Sequence, residues 1–289
     1  MAAERLPSAT RVASVTLRSG DPGPAVGFYG GVLGLRELPG GNGELLLGAG
    51  GQRPLLRLVR TSPGTPAPSR ATGLFHTALR YSARAELADA LRRLLAAGLR
   101  LSGASDHGVS EALYLGDPDG NGVELYWDRP HDRWPRPAPG ERVGMFTRPL
   151  DLERLLAVPP PERADPDPAV DIGHVHLKVS KLERSVTFYR DVLGLELMQR
   201  FGSEAAFLAA GDYHHHVGLN VWYSGGSGPP PPGSAGLAGF ALELPRPDEV
   251  ERAAVRLQGA GIPIERHNGE IRAHDPDGIG LGLVAARAR

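Results

Sequence analysis

Residues 28–35 read FYGGVLGL, and residues 188–195 read FYRDVLGL. A second stretch also occurs twice, as DPDGNG at residues 117–122 and as DPDGIG at residues 275–280. The copies are 160 residues apart in the first case and 158 in the second. Self-similarity at a nearly constant offset is typical of a duplicated structural unit. The sequence therefore predicts two copies of one module.

Each module opens with a strand and an amphipathic helix. The helix of the second module is predicted over residues 182–193, because Val186, Tyr189 and Leu193 recur there at helical spacing. In both modules a glycine, Gly34 or Gly194, follows the helix and indicates its end. The strands predicted around these helices are residues 12–18, 44–47, 55–59 and 172–179. The order is one strand, one helix and three short strands.

The second half of each module repeats that order. In the first module we predict a strand at 75–80, a helix at 84–97, and strands around Leu99, at 112–115 and at 122–127. In the second module the corresponding elements are a strand at 239–244, a helix at 247–259, and strands at 262–265, 271–273 and 280–284. The chain is therefore expected to contain four βαβββ units.

Segments rich in proline and glycine separate these units, because such segments continue neither a helix nor a strand ladder. They lie at residues 62–69, 129–168 and 225–236, and the middle one holds a short predicted helix at 150–157. We expect a first module at residues 1–130, a proline-rich linker at 131–169 and a second module at 170–289. A chain of 289 residues with 41% hydrophobic content is long enough to bury two ordinary cores.

The composition excludes several classes of function. A net charge of −1 provides no basic field for nucleic acid. The absence of cysteine excludes disulfides, thiolate metal ligands and a cysteine nucleophile, so any metal must be bound by nitrogen and oxygen atoms. No stretch has the pattern of a targeting segment or the length of a membrane span. We expect a cytoplasmic protein without nucleic-acid or membrane partners, and a homo-oligomer is left open.

The unit order and the two repeated motifs resemble those of the vicinal-oxygen-chelate superfamily. This superfamily includes glyoxalase I, fosfomycin-resistance enzymes, bleomycin-binding proteins and extradiol ring-cleaving dioxygenases. The resemblance covers residues 12–127 and 172–284, and it is greatest to two-module catechol 2,3-dioxygenase-like proteins of bacteria. It implies an α+β fold of four βαβββ units that form two vicinal-oxygen-chelate modules with cup-shaped mixed sheets.

The resemblance also implies where metal ligands lie. In the family, one ligand occupies the first strand of a unit, three residues before a leucine, and a glutamate occupies the last strand. The first-strand places of the four units hold, in order, Ser14, His76, His174 and Gly239. The last-strand place holds Glu124 in the second unit and Gly282 in the fourth. The complete set is His76, Glu124 and His174, which requires the second and third units to pair into one cup across the two modules.

Two imidazoles and one carboxylate on one face of a metal leave positions open for substrate and dioxygen. Fe(II) fits this donor set best, Mn(II) is second, and Zn(II) or Ni(II) would suit a glyoxalase-like variant. His176 shares a strand face with His174 and is an alternative ligand.

Residues 213–219 read YHHHVGL and resemble the strand of extradiol dioxygenases that carries their acid/base histidine. The register of that resemblance gives His215 this role, with His214 and His216 on the opposite face, although a slip of one residue would exchange them. Tyr114 lies ten residues before Glu124, as does the substrate-binding tyrosine of those enzymes. His107 is a further candidate pocket residue. A polar strand lining a wet pocket, and ordinary packing of Tyr114, are the alternatives.

The resemblance and the ligand set favour a metal-dependent extradiol-type dioxygenase, with a catechol-like aromatic diol and dioxygen as substrates. One alternative is a glyoxalase-like lyase or isomerase, which would need a second metal-bound carboxylate as a base. Gly282 stands where the other cup would offer one, which argues against this reading. The other alternative is a non-catalytic binding protein of the bleomycin-resistance type, but such proteins have lost the ligand set.

Overall fold

A computed structural model describes residues 4–41, 43–51, 53–62, 65–161 and 170–286. Parts of two predicted connections, residues 63–64 and 162–168, lie outside the described residues. Within the described ranges, no helix is both long enough and apolar enough to cross a membrane.

The first module contains two units of one strand, one helix and three further strands. The first unit consists of β1 (Arg11–Ser19), α1 (Pro22–Val26), β2 (Arg36–Leu38), β3 (Glu44–Gly48) and β4 (Leu56–Arg60), with α1 continuing as a π-helix over Gly27–Val32. The second unit consists of β5 (Gly73–Tyr81), α2 (Arg84–Ala96), β6 (Gly103–Asp106), β7 (Ser110–Gly116) and β8 (Gly122–Asp128). The following connection holds a 3-10 turn (His131–Arg133), β9 (Arg148–Pro149) and α3 (Leu152–Leu156).

The second module repeats the pattern. It begins with the third unit of the chain, which consists of β10 (Val170–Lys178), α4 (Leu182–Thr187), β11 (Glu196–Phe201), β12 (Ala205–Ala209) and β13 (Val217–Asn220). The helix α4 continues as a π-helix over Phe188–Leu193. The fourth unit consists of β14 (Gly236–Leu244), α5 (Pro247–Gly259), β15 (Glu265–His267), β16 (Glu270–His274) and β17 (Gly280–Ala285). The predicted fold class, four βαβββ units, is confirmed.

Two predicted strands begin later than expected, and the reason is the same in both. The amide of Leu99 donates to the carbonyl of Leu94 at 3.0 Å, and the amide of Ile262 donates to that of Leu257 at 2.9 Å. These residues therefore still close the end of the preceding helix and cannot yet join a strand. The strand expected around Leu99 is β6, and the strand expected at 262–265 is β15.

Each of the two sheets combines one unit from each module. The second and third units, together with β9 of the connection, form a nine-stranded sheet in the order β11-β12-β13-β10-β5-β8-β7-β6-β9. The first and fourth units form an eight-stranded sheet in the order β15-β16-β17-β14-β1-β4-β3-β2. The joins are antiparallel, between β5 and β10 in one sheet and between β1 and β14 in the other. The modules are thus crossed, as the predicted ligand set requires.

The two repeated motifs contact each other within each module. The hydroxyl of Tyr29 donates to Asp117 at 2.9 Å, and the hydroxyl of Tyr189 donates to Asp275 at 3.0 Å. All four side chains are buried. The first helix of each module is therefore tied to the last turn of the same module, while the sheets join different modules. One apolar core contains residues from both sheets and from the helices packed on them.

Candidate metal centre

Strand alternation decides which side chains enter the cup of the nine-stranded sheet. On β10, Val175 and Leu177 belong to the apolar core, so His174 and His176 point to the opposite face. Across the sheet, His174 is paired with Ala78, Ala78 with Glu124, and Glu124 with Tyr114. These residues form one continuous row over four strands, and the small Ala78 side chain leaves the space between His174 and Glu124 open.

His76, Glu124 and His174 converge at one point of this face. Nε2 of His76 is 2.9 Å from Oε2 of Glu124, and Nε2 of His174 is 3.1 Å from the same oxygen. The two Nε2 atoms are 3.3 Å apart. All three side chains are buried. Their ligand atoms lie close enough together to hold one metal ion. The described part of the chain contains no other group of three histidine, aspartate or glutamate side chains that meets this condition.

The electrostatics of this cluster suit a divalent cation. Burial opposes ionisation of Glu124, but His174 and His76 hold the pKa of its carboxyl well below the usual range. Burial lowers the pKa of His174 to about 4, so its imidazole is neutral at pH 7 and offers a lone pair. A carboxylate that is only 3% exposed needs a compensating positive charge. The residues present therefore fit a metal ion held by two nitrogens and one oxygen.

The cluster lies in a cavity of about 610 Å³. Aromatic side chains form much of its wall, namely Phe75, Phe146, Phe201, Phe207 and Trp222. Glu124 is the single carboxylate, and neither arginine nor lysine occurs, among the described residues that line it. The cavity thus suits a flat, uncharged ring placed next to the cluster.

The three consecutive histidines lie just before β13 and not on a strand, which corrects the prediction. Only His215 lines the cavity, and its ring lies 4.0 Å from the ring of His174 between centroids. His214 instead contacts Asp128, with Nε2 2.8 Å from Oδ1. His216 accepts a hydrogen bond on Nδ1 from the amide of Ala210 at 3.2 Å. Burial lowers the pKa of His215 well below the usual range, and His174 adds to this effect.

Tyr114 and His107 form a pair at the cavity wall. Nδ1 of His107 is 2.9 Å from the carbonyl oxygen of Phe146 and therefore carries the proton. Nε2 of His107 then accepts from the Tyr114 hydroxyl at 2.7 Å. Burial, together with the charge of Glu124, raises the pKa of Tyr114 well above its usual range, so the phenol stays protonated.

His176 lies beside the cluster without belonging to it. It is directly opposite His76 in the strand register, and the two ring centroids are 4.9 Å apart. Its ring packs against Phe75 and Trp222, and its Nε2 has no hydrogen-bond partner among the described residues. The ligand atoms that converge in the structure are those of His174, not those of His176.

Among the residues that the structure describes, the cup of the eight-stranded sheet has no corresponding cluster. Ser14, Gly239 and Gly282 occupy the places that correspond to the ligands. A Cβ atom on Gly239 would lie 2.7 Å from the carbonyl oxygen of Gly280, and one on Gly282 would lie 2.5 Å from Oε1 of Glu270. All three positions line a cavity of about 480 Å³, but a side chain at Gly239 would require a backbone shift and one at Gly282 a movement of Glu270.

Asp128 is a site residue that sequence reasoning missed. It lies on β8 four residues after Glu124 and two after Tyr126, so strand alternation places all three on one face. This two-residue spacing along the predicted strand is the sequence signal from which Asp128 could have been identified as a site residue. The aromatic wall was also missed, because its members come from distant segments.

The crossed sheets lead to a testable prediction about fragments. Residues 1–135 hold His76 and Glu124, whereas residues 165–289 hold His174. We expect each fragment alone to bind Fe(II) more than about 100-fold more weakly than the whole chain, since losing a direct ligand should exceed the loss from an outer partner. Titration with Fe(II) under anaerobic conditions measures this, with the mixed fragments as the control. Tight binding of one Fe(II) by either fragment alone would contradict the cross-module site.

Comparison with known proteins places this architecture among characterised relatives. The profile of the Glyoxalase/Bleomycin resistance protein/Dioxygenase superfamily matches residues 11–125 and 171–283. The chain is 40% identical over 268 residues to the catechol-2,3-dioxygenase of Bacillus subtilis (strain 168), which covers 91% of this chain and 92% of that protein.

Two further similarities are more limited. A manganese-dependent 2,3-dihydroxybiphenyl 1,2-dioxygenase of Geobacillus genomosp. 3 is 33% identical over 93 residues, which are 32% of this chain and 27% of that protein. The crystal structure of glyoxalase I from Zea mays superposes with a TM-score of 0.57 at 20% identity, covering 96% of this chain and 92% of that one. The similarity to glyoxalase I concerns the fold alone.

Proposed function

This chain belongs to the Glyoxalase/Bleomycin resistance protein/Dioxygenase superfamily and is a catechol 2,3-dioxygenase-like oxidoreductase, and from this premise we propose that it cleaves a catechol ring next to the diol with dioxygen. The observation that carries the proposal is the convergence of His76, Glu124 and His174 beside an aromatic cavity. The relative that matches over 91% of the chain is itself named a catechol-2,3-dioxygenase.

We assign His76, Glu124 and His174 as the ligands of one divalent metal ion. Fe(II) is our first choice and Mn(II) the second, because both accept two imidazoles and one carboxylate. Zn(II) and Ni(II) fit the donor set less well for this chemistry. The bound ion would supply a Lewis acid for the two catechol oxygens and open positions for dioxygen.

The remaining roles fall to side chains at the cavity wall. The rings of Phe75, Phe207 and Trp222 hold the substrate ring by aromatic packing and exclude water. Tyr114, whose phenol stays protonated, anchors a substrate oxygen, and His107 orients Tyr114 through their hydrogen bond. His215 accepts a proton from the substrate and returns it later, because its neutral imidazole faces the cavity beside His174.

The charge of the cavity favours an uncharged ring. Since no arginine or lysine lines it among the described residues, a carboxylate substituent on the substrate would be buried without a partner. An unpartnered buried polar group costs about 1–3 kcal/mol, and a charged group costs more. The substrate class we propose is therefore a catechol with neutral, apolar or aromatic substituents.

The test is a substrate panel with the Fe(II)-loaded full chain. We expect oxygen uptake and a yellow ring-opened product from neutral catechols, with kcat/KM at least about tenfold higher than for ring-carboxylated catechols. Oxygen electrode traces and absorbance spectra measure both. No oxygen uptake with any neutral catechol would defeat the dioxygenase proposal and favour an isomerase or a binding protein. Equal kcat/KM for carboxylated rings would defeat the substrate class alone.

A further inference from the structure

A chain of hydrogen bonds leads from the cavity histidine to the protein surface. Nδ1 of His215 is 2.7 Å from Nδ1 of His214, and Nε2 of His214 is 2.8 Å from Oδ1 of Asp128. The second oxygen of Asp128 accepts from the Tyr213 hydroxyl at 2.9 Å and faces Nη1 of Arg80 at 3.4 Å. His214 is buried, while the side chains of Asp128 and Arg80 are 19% and 35% exposed.

We propose that Asp128 and His214 are positioning residues that fix the tautomer of His215, an inference that rests on the proposed acid/base role of His215. An ionised carboxylate only accepts hydrogen bonds, so Nε2 of His214 carries a proton. With a single proton on the ring, Nδ1 of His214 is an acceptor. His215 must then donate from Nδ1, which leaves the lone pair of its Nε2 free for the substrate.

Asp128 has a further partner besides His214. Arg80 provides a cation beside the second oxygen of Asp128 at 3.4 Å, and the two other hydrogen bonds of Arg80 go to Asp171 at 2.9 and 2.7 Å. The ring of His214 lies 6.0 Å from that of His174 between centroids. Asp128 therefore orients a side chain that lies next to the proposed metal ligands.

The second carboxylate oxygen of Asp128 connects this chain of hydrogen bonds to two tyrosine hydroxyls. The hydroxyls of Tyr126 and Tyr213 are 2.6 Å apart, and because Tyr213 donates to Asp128, Tyr126 donates to Tyr213. A Cβ atom on residue 173 would lie 1.6 Å from the Tyr126 hydroxyl, so Gly173 on β10 provides the space that this hydroxyl occupies. The backbone next to His174 is thus shaped to admit the network.

The arrangement has a direct consequence for proton transfer. When Nε2 of His215 takes a proton from a catechol hydroxyl, the imidazole becomes a cation that keeps its Nδ1 hydrogen bond to His214. The carboxylate of Asp128 stabilises this cation through His214. Returning the same proton to the ring-opened product restores the neutral imidazole, so no other donor is required.

The variant Asp128→Asn separates tautomer control from packing. Arg80 can only donate, and it shares the second oxygen with Tyr213, so the amide oxygen of Asn must take that side. The amide NH₂ then faces Nε2 of His214 and reverses its tautomer. His214 would donate from Nδ1 to His215, whose Nε2 would carry the proton and lose its use as a base.

The decisive measurement is ¹⁵N NMR of histidine-labelled full chain, metal-free and zinc-loaded, with the His215 signals assigned by their loss in His215→Ala. We expect protonated Nδ1 on His215 in the wild type and protonated Nε2 in Asp128→Asn. In the Fe(II)-loaded enzyme, kcat should fall about 10–100-fold while metal content and anaerobic catechol binding stay unchanged. Asp171→Asn is the matched control, since Asp171 contacts Arg80 but not His214, and it should change neither readout.

Protonated Nε2 on His215 in the wild type, an unaltered tautomer in Asp128→Asn, or unchanged kcat in that variant would each overturn the inference. The NMR result does not depend on turnover. If the wild type shows the expected tautomer but cleaves no catechol, the proposed function fails while the positioning of His215 stands.

Discussion

Alanine at His76, Glu124 or His174 is expected to lower metal affinity by more than about 100-fold and to abolish ring cleavage. The reason is that each residue provides one of three ligand atoms that lie within 3.3 Å of one another. Outer partners of ligands already contribute about 10–100-fold to affinity or activity, and a direct ligand should contribute more. The fold should survive, because the apolar core is formed by the opposite faces of these strands.

Metal content after dialysis, together with circular dichroism, measures this effect for each variant. His176→Ala is the matched control, since His176 is also a buried histidine in the cup and is paired with His76 across the strands. That variant should keep one metal ion per chain. Full metal retention by any two of the three ligand variants would refute the assignment, and loss of metal in His176→Ala would restore His176 as a candidate ligand.

His215→Ala is expected to form the ring-opened product about 10²–10⁴-fold more slowly, the usual cost of losing a general acid or base. Metal content and anaerobic catechol binding should stay at wild-type levels, because His215 packs on His174 but does not belong to the converging cluster. A lower kcat with an unchanged dissociation constant is therefore the expected signature.

Stopped-flow absorbance with a neutral catechol measures the rate, and anaerobic titration measures binding. His216→Ala is the control, since His216 is a buried neighbour that does not line the cavity. It should keep its turnover rate. Wild-type turnover by His215→Ala would remove His215 from the mechanism and make His214 the next residue to test.

Much of the fold could be predicted from the sequence, because its signals are local or repeated. The duplicated FYxxVLGL and DPDGxG stretches identify two modules, and strand and helix periodicities locate most elements. The crossed pairing of the second and third units followed from which units hold ligand-type residues. The later starts of β6 and β15 could not be predicted, since the bonds from Leu99 and Ile262 back to their helices depend on turn geometry.

Some residues of the candidate site could be named from the sequence and others could not. The resemblance to the vicinal-oxygen-chelate superfamily implied His76, Glu124 and His174 as ligands. It also implied Tyr114 from its spacing to Glu124, which strand pairing converts into direct opposition. The contacts of Asp128 and of the aromatic wall could not be named, because they join segments that are far apart in sequence. The same holds for the direction of each imidazole in residues 214–216, which lie on a turn where strand alternation no longer applies.

The packing around Gly239 and Gly282 bears on the history of the duplication. A duplicated module begins with two equivalent cups, and only one of them needs to keep its chemistry. In the other, a Cβ atom at Gly239 would lie 2.7 Å from the backbone carbonyl oxygen of Gly280, whereas one at Gly282 would meet the end of the flexible Glu270 side chain at 2.5 Å. The duplicate cup is therefore obstructed by backbone at one ligand place and by a side chain that can turn away at the other. A carboxylate would be easier to restore at position 282 than an imidazole at position 239.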